Sequence, residues 1–175
     1  MPQNIEIKAR IPDNSTFEAL KSYLVRKTQT SGKVISQRDT FFVTPKGRLK
    51  LREEIVDHPE STLIYYERTD QPGPKQSDFF KTSVPDPEGM KVVLKNTLGI
   101  RGEVSKERLL FMVAQTRVHL DKVAGLGIYM ELEVLMEAKQ TKEEGVEIAE
   151  ALMTELKIDK DWLESKAYID ILEAK

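Results

Sequence analysis

The sequence predicts an α+β fold, an eight-stranded antiparallel β-barrel with its helices packed outside. Three observations support this prediction: about eight segments have strand-like composition, most connections between them are short, and several segments alternate charged with apolar residues. Short connections favour antiparallel neighbours, and a sheet of that many strands tends to curl or close. If the charged faces point inward and the helices cover the apolar faces, both sides of every strand are explained.

The alternation is clearest around four apolar positions, Ile7, Leu51, Val118 and Leu132. Their charged neighbours at every second position are Glu6, Lys8, Arg10, Lys50, Arg52, Arg117, Asp121, Glu131 and Glu133. Alternate side chains of a strand share one face. A solvated strand face usually mixes Thr, Ser and Gln with charges, whereas these faces are almost purely charged. This pattern indicates a charged sheet surface with a function.

The first elements follow directly from local patterns. A strand over residues 3–11 precedes Ser15-Thr16-Phe17-Glu18, a capping-box pattern that begins a helix. Strand-like runs follow over residues 31–43, 47–55 and 61–69, and the segments between them suit turns.

The second half of the chain continues the same arrangement. Gln71-Pro72-Gly73-Pro74 cannot continue a strand, and residues 77–84 resume one before Pro85 and Pro87 begin a short helix that Gly99 ends. The remaining predicted elements are strands over 101–113, 115–123 and 127–137, a helix over 141–157 and a short terminal helix within 161–175.

Composition narrows the class of protein. No linker divides the 175 residues, so residues 1–175 are predicted to form one domain. A net charge of -2 leaves no general excess of positive charge for nucleic acid, and no apolar run is long enough for a membrane span or a signal peptide, so we expect a cytoplasmic protein. Without cysteine, and with only two histidines, a metal site would use oxygen ligands, which favour Mg²⁺ or Mn²⁺.

The charged positions predicted to face inward have a positive surplus of about four, with eight basic residues against four acidic ones. The basic residues are Lys8, Arg10, Lys50, Arg52, Arg68, Lys106, Arg108 and Arg117, and the acidic ones are Glu6, Asp121, Glu131 and Glu133. Clustered like charges repel unless they are hydrated or filled by a polyanion. A chain of phosphates satisfies this requirement, and nearby carboxylates suit a divalent cation. Glu131 and Glu133 are about 7 Å apart along one strand face, close enough to share an ion.

The motifs resemble those of the CYTH superfamily, the triphosphate tunnel metalloenzymes, which include class IV adenylyl cyclases, thiamine triphosphatases and inorganic tripolyphosphatases. Asn4-Ile5-Glu6-Ile7-Lys8 resembles the ExExK signature. The other matching segments, in the family's order, are Gln37–Phe42, Leu49–Arg52, Lys106–Arg108, Thr116–Asp121, Gly125–Gly127 and Glu131–Val134. The resemblance implies an eight-stranded tunnel that binds a triphosphate together with Mg²⁺ or Mn²⁺.

The resemblance also implies a role for each matching residue. It makes Glu6, Lys8 and Glu131 the catalytic residues, and Glu6, Glu131 and Glu133 metal ligands. Asp121 would reach the metal through water or orient a basic residue, and Asp39 would brace the tunnel wall. The phosphate-binding residues that it implies are Lys8, Lys50, Arg52, Arg68, Lys106, Arg108 and Arg117, and the alternation of charged residues adds Arg10 to this set. Asn4 replaces the first glutamate of the signature and so removes one negative charge from the metal site.

Three functions follow as hypotheses. The first is metal-dependent hydrolysis of a small-molecule triphosphate, either tripolyphosphate, thiamine triphosphate or a nucleoside triphosphate. The second is a class IV type adenylyl cyclase, which needs a purine pocket, for which the candidates are Phe41, Phe42, Tyr65 and Tyr66. The third is a catalytically weak module that binds polyphosphate. In each case we expect a monomer or homodimer that contacts neither nucleic acid nor membrane.

Overall fold

The computed structural model describes residues 1–175, which form eight β-strands and four α-helices. The strands are β1 (Gln3–Arg10), β2 (Lys33–Phe42), β3 (Arg48–Ile55), β4 (Glu60–Arg68), β5 (Lys75–Ser83), β6 (Ile100–Val113), β7 (Thr116–Val123) and β8 (Gly127–Leu135). The helices are α1 (Asn14–Thr28), α2 (Pro87–Leu98), α3 (Lys142–Glu155) and α4 (Tyr168–Glu173), and a 3-10 turn spans Lys160–Trp162. The predicted elements are all present, with bounds that differ by one or two residues at most ends.

The strands close into one antiparallel barrel in the order β1-β5-β4-β3-β2-β6-β7-β8. Strands β1 and β8 complete the ring, with Glu6 opposite Glu133 and Lys8 opposite Glu131. Every strand therefore has two hydrogen-bonded neighbours, and the sheet has no free edge. The predicted α+β barrel with external helices is confirmed.

The main hydrophobic core lies outside the barrel, between its wall and the helices. Ile5, Ile7, Val118 and Leu132 are fully buried in a cluster of 19 residues that also contains Phe17, Leu20 and Leu24 of α1 and Ala149, Leu152 and Met153 of α3. Met90 and Leu94 of α2 pack against Leu51 on another part of the wall. Because the apolar faces point outward, the charged faces of the same strands point into the barrel.

Helix α1 begins differently from the prediction. Asp13, in extended backbone, is the N-cap, and its Oδ1 accepts a hydrogen bond from the backbone N–H of Thr16 at 2.7 Å. The predicted cap at Ser15 is wrong because the helix already begins at Asn14, which places Ser15 within the first turn. At the end of α2, Gly99 adopts φ 84° and its N–H donates to Lys95 O, as its position predicted. None of the helices combines the length and apolar character that a membrane span requires.

Candidate functional site

A cavity of about 340 Å³ lies inside the barrel and is lined by side chains from all eight strands. Its wall carries more basic groups than acidic ones. The basic residues are Lys8, Lys50, Arg52, Arg68, Lys81, Lys106, Arg108 and Arg117, and the acidic residues are Glu6, Asp39, Glu54, Glu60, Glu131 and Glu133. The surplus is about two positive charges, rather than the four predicted, because carboxylates at Asp39, Glu54 and Glu60 also face inward.

The C-terminal segment closes one end of the cavity. Ala167 and Tyr168 line the cavity at that end, and Tyr168 packs edge-on against Tyr129 with ring centroids 5.1 Å apart. Lys8 Nζ donates to Lys166 O at 3.1 Å and lies 3.9 Å from the centre of the Tyr168 ring. The cavity is therefore a cup rather than an open tube, with its closed end beside the C-terminal segment.

Most of the predicted site residues converge on this cavity. Those that line it are Glu6, Lys8, Lys50, Arg52, Arg68, Lys106, Arg108, Arg117, Glu131 and Glu133. Arg10 does not. It is exposed at the last position of β1, and the C-terminal segment, which bridges to β1 through Leu163 and Ala9, lies at that end of the strand. Strand parity placed Arg10 on the correct face but did not reveal that the cavity ends before it.

Asp121 is fully buried and does not line the cavity. Both of its oxygens accept hydrogen bonds from Arg108 at 2.7 Å, and Oδ2 also accepts one from the Tyr168 hydroxyl at 2.8 Å. Asp121 is thus placed to fix the direction of the Arg108 guanidinium, one of the two roles considered for it. The arrangement leaves it poorly placed as a metal ligand.

Asp39 holds three basic side chains in place. Arg52 donates to it twice, at 2.7 and 2.8 Å, Lys50 donates at 3.0 Å and Lys106 at 3.3 Å. Burial alone would raise the pKa of this carboxyl, but Arg52, Lys106 and Lys50 hold it well below its usual value. Asp39 is therefore ionised and fixes one group of phosphate-binding candidates along β2, β3 and β6.

Burial lowers the pKa values of two lysines in this group. Desolvation lowers that of Lys106 to about 7 and that of Lys50 to about 8, with Arg52 acting in the same direction and Asp39 opposing it. An anion in the cavity would stabilise both ammonium groups. The low pKa values result mainly from burial, and the neighbouring Arg52 guanidinium adds to the effect.

Glu131 on β8 is a carboxylate that pairs with two basic residues of the cavity wall. It lies 3.4 Å from Lys8 Nζ and 3.3 Å from Arg108 Nη2. Burial would raise the pKa of its carboxyl, but Lys8 and Arg108 hold it well below its usual value. Glu131 is therefore a carboxylate at neutral pH.

The oxygen donors for a divalent ion lie along β1 and β8. In the present side-chain arrangement, no three histidine, aspartate or glutamate side chains converge closely enough to hold a metal ion. The donor types nevertheless fit Mg²⁺ or Mn²⁺. Asn4 Nδ2 donates to Glu133 at 2.9 Å, while Asn4 Oδ1 is buried without a hydrogen-bond partner. An unpaired oxygen beside carboxylates is a favourable position for a cation.

Glu6 has no close hydrogen-bond partner, and Arg68 approaches it only to 3.8 Å. Burial raises the pKa of Glu6, Arg68 lowers it, and the carboxylates of Glu133 and Glu131 raise it further. A bound cation would remove this repulsion. Asn4, Glu6, Glu131 and Glu133 are consequently the residues that would hold the ion.

Sequence reasoning missed part of the cavity wall. Lys81 and Glu60 line it, and so do Ile64 and Phe79. On the inner faces of β4 and β5, Ile64, Tyr66 and Phe79 interrupt the charged positions, so the alternation of charged with apolar residues is lost there. Two lysines of β5 differ in their surroundings: Lys81 lines the cavity, whereas Lys75 is buried and donates to backbone carbonyls, including Gln71 O at 3.1 Å and Ser165 O at 3.3 Å.

Of the four aromatic residues considered for a purine pocket, two line the cavity and two do not. Phe41 and Tyr66 line the cavity, whereas Phe42 belongs to the core outside the barrel and Tyr65 hydrogen-bonds Glu67 on the outer face of β4. His119 also lines the cavity. It is buried, and its Nδ1 has no hydrogen-bond partner.

Solved structures share the barrel. The PH1012 protein from Pyrococcus horikoshii OT3 superposes with a TM-score of 0.78 at 23% identity, covering 95% of this chain and 98% of its own. A putative adenylate cyclase from Vibrio parahaemolyticus gives 0.77 at 18% identity over 98% of both chains. The triphosphatase of a Mimivirus capping enzyme gives 0.58 at 10% identity over 89% of both chains. At these identities the likeness establishes the fold alone.

No curated protein matches the chain in sequence. The family model of the CYTH domain, however, matches residues 2–168, nearly the whole chain. The matched region includes all eight strands and every charged residue that lines the cavity. The chain therefore belongs to the CYTH domain family.

Proposed function

We propose that this protein is a divalent-metal-dependent phosphohydrolase that acts on a small-molecule triphosphate. The observation that carries the proposal is the convergence of eight basic side chains and six carboxylates inside one cavity closed at one end. The cavity volume of about 340 Å³ falls in the ordinary range for small-molecule sites, roughly 300–1,000 Å³. Family membership supports the same function, because triphosphatases and adenylyl cyclases are typical CYTH enzymes.

The basic residues provide the phosphate-binding part of the mechanism. Arg52 and Arg108 are each fixed by two hydrogen bonds to a buried carboxylate, Asp39 and Asp121 respectively. Arginines fixed in this way need little reorganisation when charge develops on the transferred phosphoryl group. Phosphoryl transfer depends on such positioning and charge stabilisation more than on covalent participation of the protein.

The carboxylates of β1 and β8 provide the other part. Asn4, Glu6, Glu131 and Glu133 would hold Mg²⁺ or Mn²⁺, which when bound supplies charge neutralisation and a more acidic water. Glu131 contacts Lys8 and Arg108 as well, so it lies between the proposed metal-binding and phosphate-binding residues. This position makes Glu131 the most informative residue to change.

The test replaces Glu131 with glutamine, which retains its shape but removes its charge. With Mg²⁺ or Mn²⁺ we expect the wild type to release phosphate from tripolyphosphate, thiamine triphosphate or ATP, and Glu131→Gln to lose at least a hundredfold in kcat/KM. Glu103→Gln is the matched control, because Glu103 is exposed on β6 and does not line the cavity. Thermal unfolding of each variant distinguishes lost chemistry from lost folding. Turnover that survives in a folded Glu131→Gln variant would contradict the proposed site.

Product analysis separates the hydrolase from the other two hypotheses. A hydrolase converts ATP to ADP and phosphate, whereas a cyclase releases pyrophosphate and cyclic AMP. If cyclic AMP is the main product, the protein is a cyclase and the hydrolase proposal is wrong. Binding of tripolyphosphate without turnover under either metal would instead indicate a binding module.

A further inference from the structure

His119 on the inner face of β7 is a buried imidazole with an unpaired nitrogen. The residue is 4% exposed and lines the cavity, and its Nδ1 has no hydrogen-bond partner. Glu131 lies directly opposite in the register of β7 and β8, and its Oε2 is 4.0 Å from this Nδ1, too far for a hydrogen bond. Buried polar groups are normally hydrogen-bonded, so the folded chain leaves this nitrogen without the partner that such a group usually has.

A second unpaired ligand atom lies on the other side of β8. Asn4 Oδ1 on β1 is buried without a partner, while Asn4 Nδ2 donates to Glu133 at 2.9 Å. Strand β8, which carries Glu131 and Glu133, lies between β7 and β1 in the closed barrel. An imidazole nitrogen and an amide oxygen are both neutral metal ligands. Two unpaired ligand atoms therefore flank the carboxylates proposed to hold the divalent ion.

The gap between His119 and Glu131 has the width that a shared ion requires. An ion of this kind holds its ligands at about 2.1 Å, so two ligands of one ion lie at most about 4.2 Å apart. Arg108 Nη2 also reaches Glu131 Oε2, at 3.3 Å, but both oxygens of Asp121 accept hydrogen bonds from Arg108 and so balance its charge. The 4.0 Å separation thus allows His119 and Glu131 to ligate the same ion with little movement of either side chain.

We propose that His119 is a further ligand of the divalent ion, through its imidazole nitrogen, and that the site consequently binds Mn²⁺ in preference to Mg²⁺. Mg²⁺ binds oxygen ligands and retains several waters, whereas an imidazole nitrogen favours transition-metal ions. The inference rests on the proposed function. It adds a nitrogen ligand to Asn4, Glu6, Glu131 and Glu133, together with an order of metal preference.

Pulsed electron paramagnetic resonance of bound Mn²⁺ tests the ligand directly, because the nitrogen nucleus of a coordinated imidazole modulates the electron spin echo. The chain has only two histidines. The other one, His58, is exposed in the segment between β3 and β4 and does not line the cavity. We expect nitrogen coupling in the frozen wild type loaded with substoichiometric Mn²⁺, in samples with and without tripolyphosphate. The coupling should disappear in His119→Gln and persist in His58→Gln, the matched control.

Calorimetric titration with Mn²⁺ and with Mg²⁺ tests the metal preference. Its measure is the ratio of the Mg²⁺ dissociation constant to the Mn²⁺ dissociation constant. Loss of residues that only support a metal ligand already costs about tenfold or more in metal affinity, so we expect His119→Gln to lower this ratio about tenfold or more. His58→Gln should leave it unchanged. An equal loss of affinity for both ions in His119→Gln would mean that His119 only supports Glu131, and would overturn the inference.

The wild-type spectra decide the question even if His119→Gln does not fold. Absence of nitrogen coupling in both wild-type samples would overturn the inference, and so would coupling that remains in a folded His119→Gln variant. Neither measurement depends on turnover. If the wild type hydrolyses no triphosphate, the proposed function fails, but nitrogen coupling that requires His119 would still support the additional ligand.

Discussion

At the scale of single residues, the cavity depends on carboxylates that fix basic side chains. Asp39 holds Lys50, Arg52 and Lys106, and Asp121 holds Arg108. Both carboxylates are occupied by these hydrogen bonds, and Asp121 does not line the cavity at all. Each fixes the direction of a basic group before substrate arrives, which reduces the entropy lost when phosphate binds.

The lowered pKa of Lys106 predicts that polyanion binding depends on pH. Its pKa is lowered to about 7 by burial, so at pH 8 the free protein carries it mainly neutral, and a bound polyanion would draw a proton to it. We expect tripolyphosphate binding at pH 8 to take up more protons in the wild type than in Lys106→Met, by as much as one proton. At pH 6 this difference should vanish, because Lys106 is then protonated before binding.

Calorimetry in buffers of different ionisation enthalpy measures this proton uptake.

The lowered pKa of Lys106 also affects the stability of the fold. Between about pH 7 and the ordinary lysine pKa of about 10.4, the unfolded chain binds more protons at this position than the folded protein. The contribution of Lys106 to the free energy of unfolding therefore rises with pH across that window. Equal proton uptake in Lys106→Met and wild type at pH 8 would contradict the role given to Lys106.

At the scale of elements, the C-terminal segment and α4 make the barrel a cup. Asp170 of α4 accepts from Arg48 of β3 at 2.7 Å and from Arg101 of β6 at 2.5 Å, and so ties the helix to two strands. A Cβ atom at Gly102 would lie 2.6 Å from Ile169 Cδ1, which shows how closely α4 packs on β6. A helix of six residues has little stability of its own, so these contacts determine whether the end stays closed.

Asp170→Asn should loosen this end of the barrel. The substitution removes the charge shared by Arg48 and Arg101, and we expect the free energy of unfolding to fall by about 1–3 kcal/mol. Amide hydrogen exchange should become faster in residues 168–173 and remain unchanged in α3.

Glu173→Gln is the control for this variant. Glu173 pairs with Arg101 from a side chain that is 42% exposed, and exposed pairs contribute at most about 1 kcal/mol. If Asp170→Asn and Glu173→Gln have equal effects on exchange in α4, Asp170 does not hold the segment.

At the scale of the whole molecule, the barrel has its polar side inside and its apolar cores outside. The helices provide the hydrophobic stabilisation, whereas the interior keeps an imbalance of charge. A ligand that binds only the folded state adds stability by mass action. A polyanion should therefore stabilise the fold in addition to occupying the site.

Thermal unfolding tests this expectation. Tripolyphosphate at a hundred times its dissociation constant should add about 2.7 kcal/mol, which corresponds to a rise in Tm of roughly 5–10 °C for a protein of this size. Sulfate at equal ionic strength is the control for general charge screening. An equal rise with sulfate would contradict a specific polyphosphate site.

The sequence by itself determined which side of each charged strand faces the inside of the barrel, because the alternation has a period of two and a buried apolar face on one side leaves the charged face on the other. It also gave the element order, since turn and cap residues mark the ends of strands and helices locally. The residues of the CYTH motifs, among them Glu6, Lys8, Glu131 and Glu133, occupy these alternating charged positions.

Only the tertiary structure decided where along each strand the cavity begins and ends. Arg10 and Asp121 have the predicted parity but lie outside the lining, because the C-terminal segment closes the barrel at that end and takes Asp121 into its own hydrogen bonds. Phe79 and Ile64 line the cavity because β4 and β5 join the ring, which their sequences alone did not reveal. Parity along a strand is a local property, whereas depth in a barrel depends on how eight strands are staggered and on what closes them.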